Sequence, residues 1–207
     1  MKARTPGQLV AFEGLDGSGK TTQVAALERA LRARGLEVVA TKEPTDGPWG
    51  RRIRAMAAAG ERPAPDEELC WFVEDRREHV RDVLAPALAA GRVVLCDRYF
   101  LSTVAYQGAR GLDPVRLLRE SEAEFPQPDL AILFELDPGA GLARVSRRGR
   151  AREPAFEEHA YLERVAAVFR SIDRPWLVRI DAGAGEAVVH ARVLAAVERV
   201  LWPLAGR

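Results

Sequence analysis

Eight consecutive residues, Gly14-Leu15-Asp16-Gly17-Ser18-Gly19-Lys20-Thr21, fit the pattern G-x-x-x-x-G-K-S/T at every fixed position. The glycines let the backbone curl so that several N–H groups and the start of the following helix face an anion. Lys20 then reaches the terminal phosphates of a nucleoside triphosphate, and the Thr21 hydroxyl can ligate Mg2+. A second cluster, Asp97-Arg98, stands where the apolar run Val93 to Cys96 stops. There it puts a carboxylate near Mg2+ and its waters, and a guanidinium over the crevice where a second phosphate would lie. The plain alternative for that dipeptide is an ion pair at a strand end. Arginine occurs 28 times and lysine three times, so Lys20 carries more meaning than any single arginine.

Elements that could position these groups follow from periodicity. Gln8 to Glu13 reads as a strand, followed by the glycine-rich turn and a helix with Val24, Leu27 and Leu31 on one face. Gly35 closes that helix, and Leu36 to Thr41 forms a second strand before a loop from Glu43 to Gly50. A long helix opens at Pro65-Asp66 and carries Leu69, Phe72, Val73, Val80, Val83 and Leu84 on a broad apolar face, with Pro86 as a kink near its end. Val93 to Cys96 and Leu130 to Leu136 read as strands buried on both faces, and helices begin near Asp113-Pro114 and Asp137-Pro138. After an arginine-rich stretch, a helical pattern runs through Tyr161, Val165 and Phe169. Leu177 to Ile180 is the last strand, and Val189, Val193, Val197 and Leu201 mark a final helix. Five β-α repeats predict an α/β protein with a five-stranded parallel sheet flanked by helices, and ligands at the strands' C-terminal ends. The expected organisation is a single domain over residues 1–207 with a small arginine-rich lid at about 144–156.

Composition narrows the function. With 31 basic and 30 acidic residues the formal charge is +1, which argues against a nucleic-acid coat. No apolar stretch approaches the roughly 20 residues of a membrane span, and the N-terminus shows no apolar export segment, so no membrane partner and a cytoplasmic location are expected. Cys70 and Cys96 lack the spacing of a zinc or redox site and read as buried structural thiols, and His79, His159 and His190 form no metal spacing. The chain contains no asparagine, which removes the N-K-x-D guanine-reading motif of typical GTPases, and 207 residues leave no room for transporter or helicase domains. A small kinase with the P-loop NTPase fold is the leading reading.

At this point the chain resembles the thymidylate kinase family nearly end to end. Phe12 to Gln23 looks like that family's form of the phosphate loop. Asp97-Arg98-Tyr99-Phe100-Leu101-Ser102-Thr103-Val104-Ala105-Tyr106-Gln107-Gly108 matches its D-R-Y-x-x-S-x-x-A-Y-Q-G signature. Pro128-Asp129-Leu130 and Asp181-Ala182 are similar to further family landmarks, and Phe72 with Arg76 fits its F-x-x-x-R helix.

The resemblance implies transfer of the γ-phosphoryl of ATP to dTMP with Mg2+, in a homodimer packed through helices. It implies that ATP is held by the loop from Gly14 to Thr21, with Thr22 and Ala182, and that Thr21 and Asp97 serve the metal. Phe72 would stack on the thymine ring while Arg76 and Gln107 contact its polar edges. Arg98 would hold the acceptor phosphate, Asp16 the 3′-hydroxyl, and Tyr106 would crowd the 2′ position. Ser102 is either a ligand contact or a helix-capping hydroxyl. Lys20, Asp97 and Arg98 would carry the transfer. Because Gly17 occupies the loop position from which one subgroup supplies an arginine, the remaining positive charge would come from Arg148, Arg150 and Arg152 in the lid. On residues alone, Phe72 reads as a core side chain.

The chain departs from the family pattern in three places. The segment R-E-P-G-G-T is here Lys42-Glu43-Pro44-Thr45-Asp46-Gly47, Arg51 replaces an acidic residue, and D-R-F-E reads Pro154-Ala155-Phe156-Glu157. A kinase for another nucleoside monophosphate, or a non-catalytic ATP-binding regulatory protein, therefore stands as an alternative.

Overall fold

The computed structural model describes residues 7–60, 62–147 and 156–201. Alternating apolar strands and amphipathic helices form β1 (Gln8–Gly14), α1 (Lys20–Ala33), β2 (Val38–Lys42), α2 (Pro48–Ala59) and α3 (Pro65–His79). A π-helical turn (Val80–Leu84) leads to α4 (Ala85–Ala89), β3 (Val93–Asp97), α5 (Phe100–Gly108) and α6 (Pro114–Glu124). The chain continues through β4 (Leu130–Glu135), α7 (Pro138–Ser146), α8 (Phe156–Ser171), β5 (Leu177–Asp181) and α9 (Glu186–Leu201).

The strands make one parallel sheet in the order β2-β3-β1-β4-β5. Successive strand residues face opposite sides, so each side collects its own core. Leu9, Ala11, Val94, Cys96, Ala131 and Leu133 pack on one side with Phe100, Val104 and Val165. Val10, Phe12, Leu95, Ile132 and Phe134 pack on the other with Leu27, Leu31, Val193 and Val197. Direction along the sheet reverses at β1, where Phe12 pairs with Asp97 of β3 and Gly14 with Phe134 of β4. That reversal opens the ligand crevice of an open parallel sheet.

Several sequence expectations need correction. The segment expected to be one long helix is continuous from Pro65 to Ala89, with helical backbone at each junction, but it widens into the π-helical turn just before Pro86. Pro86 has no N–H to return to that turn and its ring crowds the carbonyl four residues back, which a widened turn accommodates. Two helices, α2 and α5, were not foreseen, because Gly50 and Gly108 and the run of small or β-branched residues in α5 obscure their periodicity. Cys70 is exposed, facing away from the side of α3 whose Leu69 and Val73 meet the core, whereas Cys96 is buried as expected. Burial also pushes the Cys96 thiol well above its usual range, which keeps it inert.

Candidate active site

The phosphate loop hangs between β1 and α1 and is shaped by left-handed backbone. Gly17 and Gly19 have φ of 79° and 91°. A Cβ on Gly17 would lie 2.4 Å from the Gly141 carbonyl oxygen of α7, so this position has no room for a side chain. Gly19 precedes α1 without any side-chain cap, and no acidic residue occupies the helix's first turn. The first N–H groups of α1 and the positive end of its dipole are thereby left for an anion. Ser18 Oγ is buried in the same loop without a hydrogen-bond partner.

Lys20 is buried and donates from Nζ to the carbonyl oxygens of Gly14 (3.0 Å) and Leu15 (2.8 Å). Burial, aided by the nearby Arg98 charge, lowers its pKa to about 7. Thr21 Oγ1 donates to Asp97 Oδ2 at 2.5 Å, so a hydroxyl and a carboxylate meet where α1 begins and β3 ends. Hard oxygen donors of this kind suit Mg2+. Thr22 and Ala182 face each other across a cavity of about 200 Å³ beside the loop, which Gly17, Ser18 and Arg144 also line. Arg144 donates to the Ala182 carbonyl at 3.1 Å, tying α7 to the turn after β5. The sequence reading placed Arg144 at the start of the arginine-rich lid without a role of its own, whereas it stands in the last turn of α7.

Arg98 adopts φ 69°, a left-handed conformation that costs a non-glycine residue on the order of 1–3 kcal/mol. The turn aims its guanidinium back at the loop: Nη1 donates to Ser102 Oγ at 3.0 Å and Gly14 O at 3.2 Å, and Nη2 to Asp16 Oδ1 at 2.8 Å. The Tyr106 hydroxyl is 3.4 Å from Nη2. Burial works against the charge on Arg98, but Tyr106 and Asp16 more than offset it and hold its pKa above the usual arginine value. Asp16, Arg98, Ser102 and Tyr106, which are separated by as many as 90 positions in the chain, therefore form one cluster beside Lys20.

Beneath Arg98 lies Glu13, which the sequence reading did not single out. Strand alternation puts it on the same face as Leu9 and Ala11, under α5. It is buried, accepts from the Tyr99 backbone N–H at 3.0 Å and from Ser102 Oγ at 2.5 Å, and its pKa rises from 4.5 to about 7, chiefly through burial. Its two bonds clamp the residue after Arg98 and the hydroxyl that Arg98 grips. Ser102 is thus a bridge between Glu13 and Arg98 and does not cap α5. A charged residue inside an apolar strand was the available signal for Glu13.

On the far side of Arg98, Arg76 is buried at 1% exposure. Its Nε and Nη2 both donate to Glu43 Oε2, at 2.9 and 2.6 Å, and Nη2 reaches Thr103 Oγ1 at 2.9 Å. Burial opposes its charge and the Glu43 carboxylate overcomes that, raising its pKa. Arg76 Nη1 has no partner, and neither the oxygen nor the nitrogen of the fully buried Gln107 amide has one. Thr103 and Gln107 are one helical turn apart on α5, so these orphaned polar atoms gather in one place. Phe72, one turn before Arg76, is half-buried and belongs to neither core cluster, unlike its neighbours Leu69 and Val73. The expectation that Phe72 is a core side chain, drawn from periodicity alone, is therefore corrected.

Glu43, His79 and Cys96 are the three-donor group found among the described residues. Both carboxylate oxygens of Glu43 are already taken, one by Arg76 and one by His79, and the guanidinium occupies the place of a cation. Arg148, Arg150 and Arg152 lie outside the described residues.

A phosphate loop on the strand where a parallel sheet reverses, with a strand-end Asp-Arg pair turned toward it, defines a P-loop kinase fold. A family model described as thymidylate kinase matches residues 12–193. A thymidylate kinase from Akkermansia muciniphila is 47% identical over 188 residues, spanning 90% of this chain and 89% of the relative. Another from Desulfotalea psychrophila is 40% identical over 96% of this chain and 98% of its own length, and one from Xylella fastidiosa is 45% identical over 94% and 88%. The chain belongs to the thymidylate kinase family.

Proposed function

We propose that the protein transfers the γ-phosphoryl group of ATP to dTMP, giving ADP and dTDP. Family membership supports the reaction, and the observation that carries the acceptor is the set of orphaned atoms at Arg76 and Gln107. Arg76 Nη1 is a donor, and the Gln107 amide offers one donor nitrogen and one acceptor oxygen. A complementary edge presents carbonyl oxygens with an N–H between them, which is the edge of thymine. Leaving such atoms buried without partners costs on the order of 1–3 kcal/mol each, a cost that a matching base removes. Phe72 offers a ring face for the base, and Tyr106 stands against the sugar beside Asp16.

An oxygen of the acceptor phosphate attacks the γ-phosphorus, a new P–O bond forms, and the bond to the β–γ bridging oxygen breaks as ADP leaves. The nucleophile is already anionic, so no general base is required and the protein's work is positioning and charge neutralisation. Arg98 holds the acceptor phosphate, while α1's N–H groups and Lys20 hold those of ATP. Negative phosphate beside Lys20 would lift its depressed pKa, keeping it cationic during transfer. Thr21 and Asp97 would hold Mg2+, which supplies further neutralisation of the β- and γ-phosphate oxygens. Because Gly17 is packed against Gly141, the loop cannot supply an arginine of its own, which supports Arg148, Arg150 and Arg152 as the source of charge over the γ-phosphate. The one-domain organisation, a homodimer packed through helices and a cytoplasmic setting are proposed with this reading. No helix among the described residues is long and apolar enough to cross a membrane.

The test is a panel of dTMP, dUMP, dCMP, dGMP and dAMP with ATP and Mg2+, scored by ADP and diphosphate formation. The kcat/KM for dTMP should exceed that for dCMP by about tenfold or more, the scale expected when a buried site meets a donor where it needs an acceptor. Preference for a cytosine or purine nucleotide would overturn the acceptor assignment, and ATP binding without transfer to any acceptor would overturn the enzyme.

A further inference from the structure

Three alternate residues leaving β2 meet one side of α3. Thr41 Oγ1 lies 2.7 Å from His79 Nε2, Glu43 Oε1 lies 2.9 Å from His79 Nδ1, and Glu43 Oε2 takes Arg76. Thr45 gives its backbone N–H and hydroxyl to the two oxygens of Asp75, at 2.8 and 2.6 Å. The chain bends at Glu43 and Pro44 just past the end of β2, and on α3 Asp75 and Arg76 lie four and three residues before His79, so the contacts line one side of the helix as a ladder. Glu43, Asp75, Arg76 and His79 are all buried. Thr45 stands where the family pattern has glycine, and here its side chain is a rung.

The ladder consumes all but one corner of the Arg76 guanidinium. Nε and Nη2 are spent on Glu43 and Thr103, which leaves Nη1 as the nitrogen without a partner. We propose that Glu43 and His79 are positioning residues for recognition of the acceptor's base: by fixing the Arg76 fork they require a carbonyl oxygen, and not an amino group, at Nη1. This rests on the dTMP reading above. The carboxylate of Glu43 accepts from both neighbours, so His79 donates from Nδ1–H, and its Nε2 accepts a hydrogen bond from the Thr41 hydroxyl. Thr41 thereby fixes the ring that fixes Glu43. Replacing the carboxylate with an amide would turn an N–H toward Nη2 or the imidazole and free the fork to rotate.

The experiment measures steady-state kinetics of the full chain with dTMP, dCMP and ATP each varied, for Glu43→Gln, His79→Leu and His79→Asn beside the native protein. Glu43→Gln should raise the dTMP KM about tenfold or more, shrink the dTMP-to-dCMP ratio of kcat/KM by a similar factor, and leave the ATP KM within about twofold. His79→Leu should raise the dTMP KM roughly three- to tenfold, and His79→Asn, whose amide can replace the Nδ1–H, should recover most of that loss. Should Glu43→Gln fail to fold, the two His79 variants decide. Equal rises in both KM values with an unchanged dTMP-to-dCMP ratio, or no change in either, would overturn the proposal. A native protein that ignores dTMP defeats the underlying reading instead, whatever the variants do.

Discussion

The two ends of the crevice are built from different materials. The end proposed for ATP is mostly main chain: the curled loop, the uncapped start of α1, and Lys20 resting on two carbonyl oxygens. The end proposed for the acceptor is mostly buried side chains bonded to one another, with Glu13 bonded to Ser102 under Arg98, and Glu43 bonded to Arg76 and His79. Phosphate is the same in every nucleotide, so a repeated backbone feature suffices to bind it. A base is read by its pattern of donors and acceptors, which demands polar atoms fixed in a dry place. Each such atom then needs its own support, which is why several buried polar side chains bond to one another there, whereas the buried charge of the other end is Lys20 resting on main chain.

Removing Lys20, the buried cation of the backbone-built end, should produce the largest effect. Lys20→Ala is expected to lower kcat by about 10³-fold, on the order of 4 kcal/mol of transition-state stabilisation, with a dTMP affinity near native. Rapid-quench measurement of a single turnover, combined with equilibrium titration of dTMP, checks both halves. A loss confined to the ATP KM would mean that Lys20 only binds, and the two ends would then differ less than their architecture suggests.

This difference also governs what the sequence made legible. The loop from Gly14 to Thr21 is contiguous, and its mechanism needs little beyond a strand before it and a helix after it, so residues 8–33 alone specify it. Arg98 was visible because charge appears abruptly after four apolar residues. Glu43, Asp75 and His79 were not visible as a group, since their bonds join positions 30 to 38 apart and depend on how α3 lies along the chain leaving β2. Single-residue histidine spacing said nothing about this set, and the helix α2 that closes it was itself missed. All five β-elements were legible by contrast: β1, β3 and β4, buried on both faces, as continuous apolar runs, and the edge strands β2 and β5 as shorter ones between turns.

A smaller effect is expected from crowding the loop against α7. Gly17→Ala puts a methyl group into the Gly141 carbonyl at a backbone angle that disfavours any side chain, so the loop or α7 must move. It should destabilise the protein by about 1–2 kcal/mol and raise the ATP KM roughly tenfold, with the dTMP KM little changed. Thermal melting and the two KM values measure this. If the dTMP KM rises in parallel, the loop and the acceptor cluster are one mechanical unit, and the contrast between the two ends concerns chemistry alone.

The mildest perturbation of activity, and the sharpest for stability, is Glu13→Gln. In the native fold this carboxyl has its pKa raised from 4.5 to about 7, so between those values the folded chain holds a proton that the unfolded chain releases. Its favourable contribution is complete below pH 4.5 and is lost as pH rises through 7. The variant has no such proton. Its stability relative to native should therefore improve as pH goes from 4.5 to 7, by at most about 3 kcal/mol, and level off above. Lys20 titrates with the opposite sign and in a higher window, its folded pKa of about 7 lying below the usual 10.5, so its penalty is relieved only above pH 7. The amide can still accept from Tyr99 N–H but directs an N–H toward Ser102, loosening the hydroxyl that Arg98 grips, and the dTMP KM should rise about threefold. Denaturant melts at pH 5 and pH 8 together with acceptor kinetics would show a more stable enzyme at the higher pH with a poorer hold on its substrate. A variant that lost stability equally at both pH values would mean that Glu13 is held there for the fold and not for Arg98.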